Sequence, residues 1–201
     1  MVKSPDGEKY FPKGKERYYT KYYRAAKLPS MLTKREPEGQ TRFRLAILPS
    51  FTKPLFLTYS RNATGATIEI TRLSLRRIDD GLEPGPIELT GKVAIGDRLA
   101  KRLEADAVDP DIRLPLRQYT EKQRQLLQRL DGCTWILEVS TDRDYSMEDV
   151  SSPEWMGNVD PKLRDEFNLP KVDTSFFIEF CETLLNLTDL RAPENGAPEN
   201  E

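Results

Sequence analysis

Apolar residues recur along this chain with two different periods, and the two periods divide it into strands and helices. Between residues 42 and 51, RFRLAILPSF places Phe43, Leu45 and Ile47 on one side of an extended segment. PLFLTYS repeats the pattern with Leu55, Leu57 and Tyr59, and ATIEITRLSL supplies a third strand after the turn 61–65. Residues 131–155 form a further unit of turn, strand and return strand. In it Trp135, Leu137 and Val139 point one way, and Ile136, Glu138 and Ser140 point the other. Thr141, Asp142, Arg143 and Asp144 make its hairpin turn, and residues 145–150 the return strand.

Helical spacing appears at residues 16–27, 96–105 and 120–130, and most clearly after Asp173. There Phe177, Phe180, Cys181, Leu184 and Leu187 make a stripe wide enough to cover a sheet, with Asp173 as its cap. Residues 79–85, DDGLEPG, read as a turn-rich loop. Acids flank its glycines and would repel phosphate, so it is no phosphate-binding loop. The expected fold is α+β: an antiparallel sheet of about five strands in βββ-α-ββ-α order, with helices packed mainly on one face. Trp135 should lie beneath the helix that carries Phe177 and Phe180. A sheet covered on one side leaves an open face for docking, and Glu138 is expected on that solvent side.

The expected organisation is a flexible basic lead over residues 1–15, a single α+β domain over 16–190 and a disordered acidic tail over 191–201. At 201 residues the length suits one domain. Net charge is -2 but polarised. Residues 1–35 hold ten Lys or Arg against three acids, and residues 142–201 hold fifteen acids against five bases. Two cysteines, Cys133 and Cys181, make no disulfide framework and suit a reducing, cytoplasmic setting. The first fifteen residues carry no apolar signal-peptide core, and no run is long enough to span a membrane.

No histidine occurs, which excludes Ser-His-Asp triads, Cys-His pairs and histidine zinc motifs within the chain. Catalysis would fall to carboxylates, and Glu138, Asp144 and Glu148 on the hairpin are the candidates for a carboxylate-dependent hydrolase. They do not match a calcium loop. Counting from Asp142, the required Gly and Glu positions hold Met147 and Pro153. Neither a metal nor a cofactor is expected. Tyr18 and Tyr22, with Lys21 and Arg24, are the candidate binding residues of the N-terminal helix. Aromatic rings beside cations could stack on bases and track phosphates of a nucleic acid, or the tyrosines could pack the helix onto the domain.

The chain also resembles a family of uncharacterised bacterial proteins. The resemblance rests on Asp131, Gly132, Trp135, Ile136, Leu137 and Glu138, which match a D-G-x-x-W-I-L-E strand. Ser50, Phe51 and Pro54 match an S-F-x-x-P junction, with weaker support from Pro29, Gly81, Gly85, Tyr145, Ser152 and Pro153. It departs from that pattern at polar positions. Thr58 stands for an Arg, Ser146 for a His, and Val150 and Ser151 for Arg-Trp. The resemblance implies the fold and no particular activity. Together these readings point to a non-enzymatic binding module of a cytosolic bacterial protein, of immunity or defence type, with a protein partner rather than a small molecule.

Overall fold

The computed structural model describes residues 16–32, 36–49, 52–78, 81–112, 123, 132–153 and 158–189. The expected lead, tail and helix at 120–130 lie outside the described residues, apart from Gln123. One antiparallel sheet dominates the fold. In chain order the elements are α1 (Glu16–Ala25), β1 (Thr41–Pro49), β2 (Leu55–Asn62), β3 (Gly65–Ile78), β4 (Gly81–Ile95), α2 (Asp97–Val108), β5 (Cys133–Thr141), β6 (Tyr145–Ser151), α3 (Pro161–Glu166) and α4 (Ser175–Leu187). The strands lie in the order β4-β3-β2-β1-β5-β6, so β5 docks against β1 and places the first strand inside the sheet.

The sheet therefore has six strands rather than about five, and the additional one is β4. Its first residues, 81–85, belong to the stretch expected to be a loop. Pro84, Gly85, Pro86 and Gly91 interrupt the apolar pattern there, and an edge strand tolerates such residues because half its backbone faces outward. The β2–β3 turn follows its chemistry. Asn62 Oδ1 accepts from Thr64 N at 2.9 Å, and Gly65 takes φ +134, a conformation that residues with a Cβ rarely adopt.

Register decides which residues share a face. On one face Phe43, Leu45, Ile47, Leu57, Tyr59, Ile68, Trp135, Leu137 and Val139 merge with Ala100, Leu103 and Ala107 of α2 and with Phe177, Phe180, Cys181, Leu184 and Leu185 of α4. Trp135 is 4% exposed, and its ring centroid lies 6.5 Å from that of Phe177. Phe43 stacks on Tyr59 at 4.4 Å and meets Phe180 edge-on at 5.4 Å. Each such buried side chain stabilises by roughly 1.5–3 kcal/mol relative to exposure. The N-cap of α4 is Thr174 rather than Asp173; Asp173 Oδ1, one residue earlier, accepts from Ser175 Oγ at 2.5 Å and from Ser175 N at 2.9 Å, and these bonds hold the Asp173 carboxyl below its usual range.

Two of the helices thus pack on one face, but the opposite face is not left open at its centre. Tyr19, Tyr22, Tyr23 and Ala26 of the α1 region form a second core with Ala46, Leu48, Phe56, Leu73 and Ile136. The tyrosines three and four apart supply the buried side of α1. The helix ends in a Schellman motif: Lys27 takes φ +54, Lys27 N donates to Arg24 O, and Leu28 N donates to Tyr23 O at 3.0 Å.

Candidate functional site

Beneath α1 the sheet carries a charge pair. Arg44 stands in mid-β1, opposite Glu138 of β5, and both point to the α1 face. Arg44 Nη1 lies 3.3 Å from Glu138 Oε2, and each side chain is 1% exposed. Arg44 Nη2 donates to Pro29 O at 3.1 Å, and its Nε donates to Thr58 Oγ1 of β2 at 3.2 Å. The guanidinium carbon lies 5.4 Å from the centre of the Tyr23 ring, a cation–π geometry. From β6, Tyr145 Oη donates to Glu138 Oε1 at 2.8 Å. Four strands, one helix and the segment after it therefore converge on one ion pair.

The electrostatics follow from burial. Loss of solvent pushes the Glu138 carboxyl above its usual range, against the opposing pull of Arg44 and of the Tyr145 and Tyr23 hydroxyls. Burial and the neighbouring carboxylate push the Tyr23 and Tyr145 phenols up, so both remain hydroxyl donors. A second polar cluster joins β2 to α2. Tyr59 Oη donates to Glu104 Oε1 at 2.7 Å, Arg61 Nη1 lies 3.0 Å from Glu104 Oε2, and Arg61 also pairs with Asp97. Burial and Glu104 raise the Tyr59 phenol.

The structure does not bring the three hairpin carboxylates together. Glu138 is expected in solvent but is sealed, because α1 and Pro29 cover the face it occupies. Glu148 pairs across from Leu137, so it lies on the α2/α4 face, the opposite side from Glu138. Asp144 sits in the exposed β5–β6 turn, where its Oδ1 accepts from Tyr145 N at 2.8 Å. An acid–base pair needs two carboxyls flanking one concave site, and these three share no surface.

The stacking arrangement expected of α1 is also altered. Tyr22 is 5% exposed and belongs to the core, so its ring offers no face to a base. Lys21 Nζ lies 2.8 Å from Glu83 Oε1 of β4, and Arg24 is half-buried. The Tyr18 side chain lies outside the described residues.

Sequence reasoning missed Arg44, the partner that explains Glu138. The signal was present in RFRL: a charged residue in mid-strand on the same face as a mid-strand acid of another strand. A crevice between α2 and α4, lined by Arg102, Asp106, Glu179 and Thr183 among others, encloses about 10 Å³, room for a single water. Among the described residues no group of three His, Cys, Asp or Glu is placed to hold a metal ion, and no helix is long and apolar enough to cross a membrane. No protein-family model matches the chain, and the search of curated proteins finds no significant match.

Proposed function

We propose that the chain is a non-enzymatic interaction module of a cytosolic bacterial protein, of the immunity-type or defence-related kind, that acts by binding another protein. One observation carries this reading. Arg44 and Glu138, the charged residues best placed for chemistry, are sealed at 1% exposure and spent on fastening α1 to the sheet. A buried pair of this sort fixes one arrangement of the elements around it. What remains open is surface. Beside α1, Ser60, Thr67 and Thr71 are half-exposed and Glu69, Thr90 and Lys92 exposed, a flat polar array suited to contact with a partner.

Affinity capture with chemical crosslinking and mass spectrometry, on tagged full-length chain expressed in bacteria, tests the proposal. The expected result is one protein recovered in near-stoichiometric amount. The chain is also expected to be inactive on ester, glycoside and phosphoester substrates. Turnover abolished by Glu138→Gln, or the absence of any specific partner, would overturn it.

A further inference from the structure

β4 is one edge of the sheet, and its two halves treat that edge differently. Over residues 81–88 the edge is guarded. Pro84 and Pro86 lack backbone donors, and two register shifts, between Arg72 and Leu73 and between Leu73 and Leu75, bend the pairing with β3. From Leu89 to Ile95 neither proline nor shift occurs. Seven pairs run unbroken there, from Arg72 opposite Leu89 to Ala66 opposite Ile95. Along this half no amide or carbonyl bonds outward to another described residue. A straight edge with bare backbone groups is a template for one more strand.

The side chains specify which strand fits. Leu89 and Val93 are half-exposed and pack against the larger core. Thr90, Lys92 and Ala94 are exposed on the other face. Gly91 stands midway. From Leu89 to Val93, in either direction, the order is apolar, polar, glycine, polar, apolar. An antiparallel neighbour runs in the reverse direction, so this stretch is its own complement. Each charged side chain from Glu88 onward in the strand already has a counter-ion within the chain. Lys92 Nζ lies 3.4 Å from Glu69 Oε1, and Glu88 lies 2.9 Å from Arg72 and 3.2 Å from Lys53. Charge on this edge therefore selects no foreign partner, and selection falls to backbone and apolar pairing.

We infer that β4 pairs antiparallel with β4 of a second copy about a two-fold axis at Gly91, joining two sheets edge to edge. Leu89 then lies across from Val93 of the second copy, twice by symmetry, and the four side chains continue one core into the other. On the opposite face Thr90 lies across from Lys92, and no like charges stand directly opposed. The neighbouring registers fail. Centring the pair on Lys92 sets two lysines face to face, and centring it on Leu89 brings Pro86 into the seam. Centring it on Thr90 sets Val93 across from Ile87, which packs on the other face of the sheet. This pairing goes beyond the interaction-module reading and does not depend on it.

Sedimentation equilibrium of the full chain tests it. A seam of about seven residues a side is small for a specific interface, so the dimer should be weak, its average mass rising from 23.1 kDa toward twice that between about 1 and 200 µM. Thr90 is exposed, so its variants read the seam with the fold intact, which circular dichroism checks. Thr90→Glu sets a carboxylate across from Lys92 at both ends of the seam and should tighten the dimer about threefold. Thr90→Lys sets like charges there and should weaken it about fivefold. Val93→Lys should leave a monomer over the same range, and Arg143→Glu, in the exposed β5–β6 turn, should change nothing. Hydrogen exchange at residues 88–94 should slow as concentration rises. A monomer at every concentration overturns the inference. So does weakening by both Thr90 variants, which marks a seam centred on Thr90, and so does protection that falls on 145–151 of β6 instead. Protection of 88–94 that appears only with an added protein, while the chain alone stays monomeric, overturns self-pairing and leaves the interaction-module reading standing.

Discussion

On the α2/α4 side of the sheet, Phe43, Trp135, Phe177 and Phe180 meet ring against ring and carbon against carbon. On the α1 side a smaller apolar core shares its space with a buried guanidinium, a buried carboxylate and the hydroxyls of Thr58 and Tyr145. The first side is held by area, which is non-directional and tolerant of small shifts. The second is held by oriented polar contacts, which fix where α1 sits but carry a desolvation cost. The same sheet thus uses bulk attraction where it needs stability and directed bonds where it needs position.

The sharpest way to break this contrast is to remove one member of each core. Arg44→Ala leaves Glu138 buried without its cation and should cost about 3–5 kcal/mol in urea unfolding. Replacing both charges, Arg44→Met with Glu138→Leu, should recover most of that loss. A double variant as unstable as Arg44→Ala would show that packing, not charge, governs the α1 side. Phe177→Ala should cost about 3–5 kcal/mol through the cavity it leaves, and no polar change elsewhere should compensate. Tyr145→Phe removes one donor from the carboxylate and should cost about 1.5–3 kcal/mol. Its effect should concentrate in faster hydrogen exchange of α1 rather than α4.

Acidity separates the regions further. Burial holds Glu138 above the usual carboxylate range, so the folded chain binds that proton more tightly than the unfolded chain. The associated stability is complete below the ordinary carboxylate value and is lost as pH rises through the elevated one. Glu138→Gln should flatten that limb of the stability profile. Asp173 at α4 has the opposite sign: its lowered value gives stability above the ordinary range that disappears as pH falls through the depressed value. Asp173→Asn should remove only this acid limb, the smallest effect of the set.

Strong periodicity made much of the framework legible. Strands near 42–78, the hairpin after Cys133 and the phenylalanine-bearing helix are all where alternation and helical spacing place them. β4 was hidden because an edge strand shows weak alternation and carries the very residues, Pro84, Gly85 and Pro86, that mark a loop elsewhere. The site was half legible. Glu138 stands out as a mid-strand acid, but its burial depends on α1 crossing from β6 to β4, with Tyr19 bonded to Asp149 and Lys21 to Glu83. Those contacts span 130 and 62 residues, a separation that no local pattern encodes.

The inner place of β1 has a consequence for assembly. Its second neighbour, β5, arrives from far along the chain, and the Arg44–Glu138 contact joins residues 94 apart. During synthesis the first four strands can pair as a meander while one flank of β1 still presents bare amide and carbonyl groups, the kind of edge that recruits other chains. Closure waits for Cys133–Thr141 to emerge, so the slow step of maturation and the window of greatest aggregation risk coincide at that single seam.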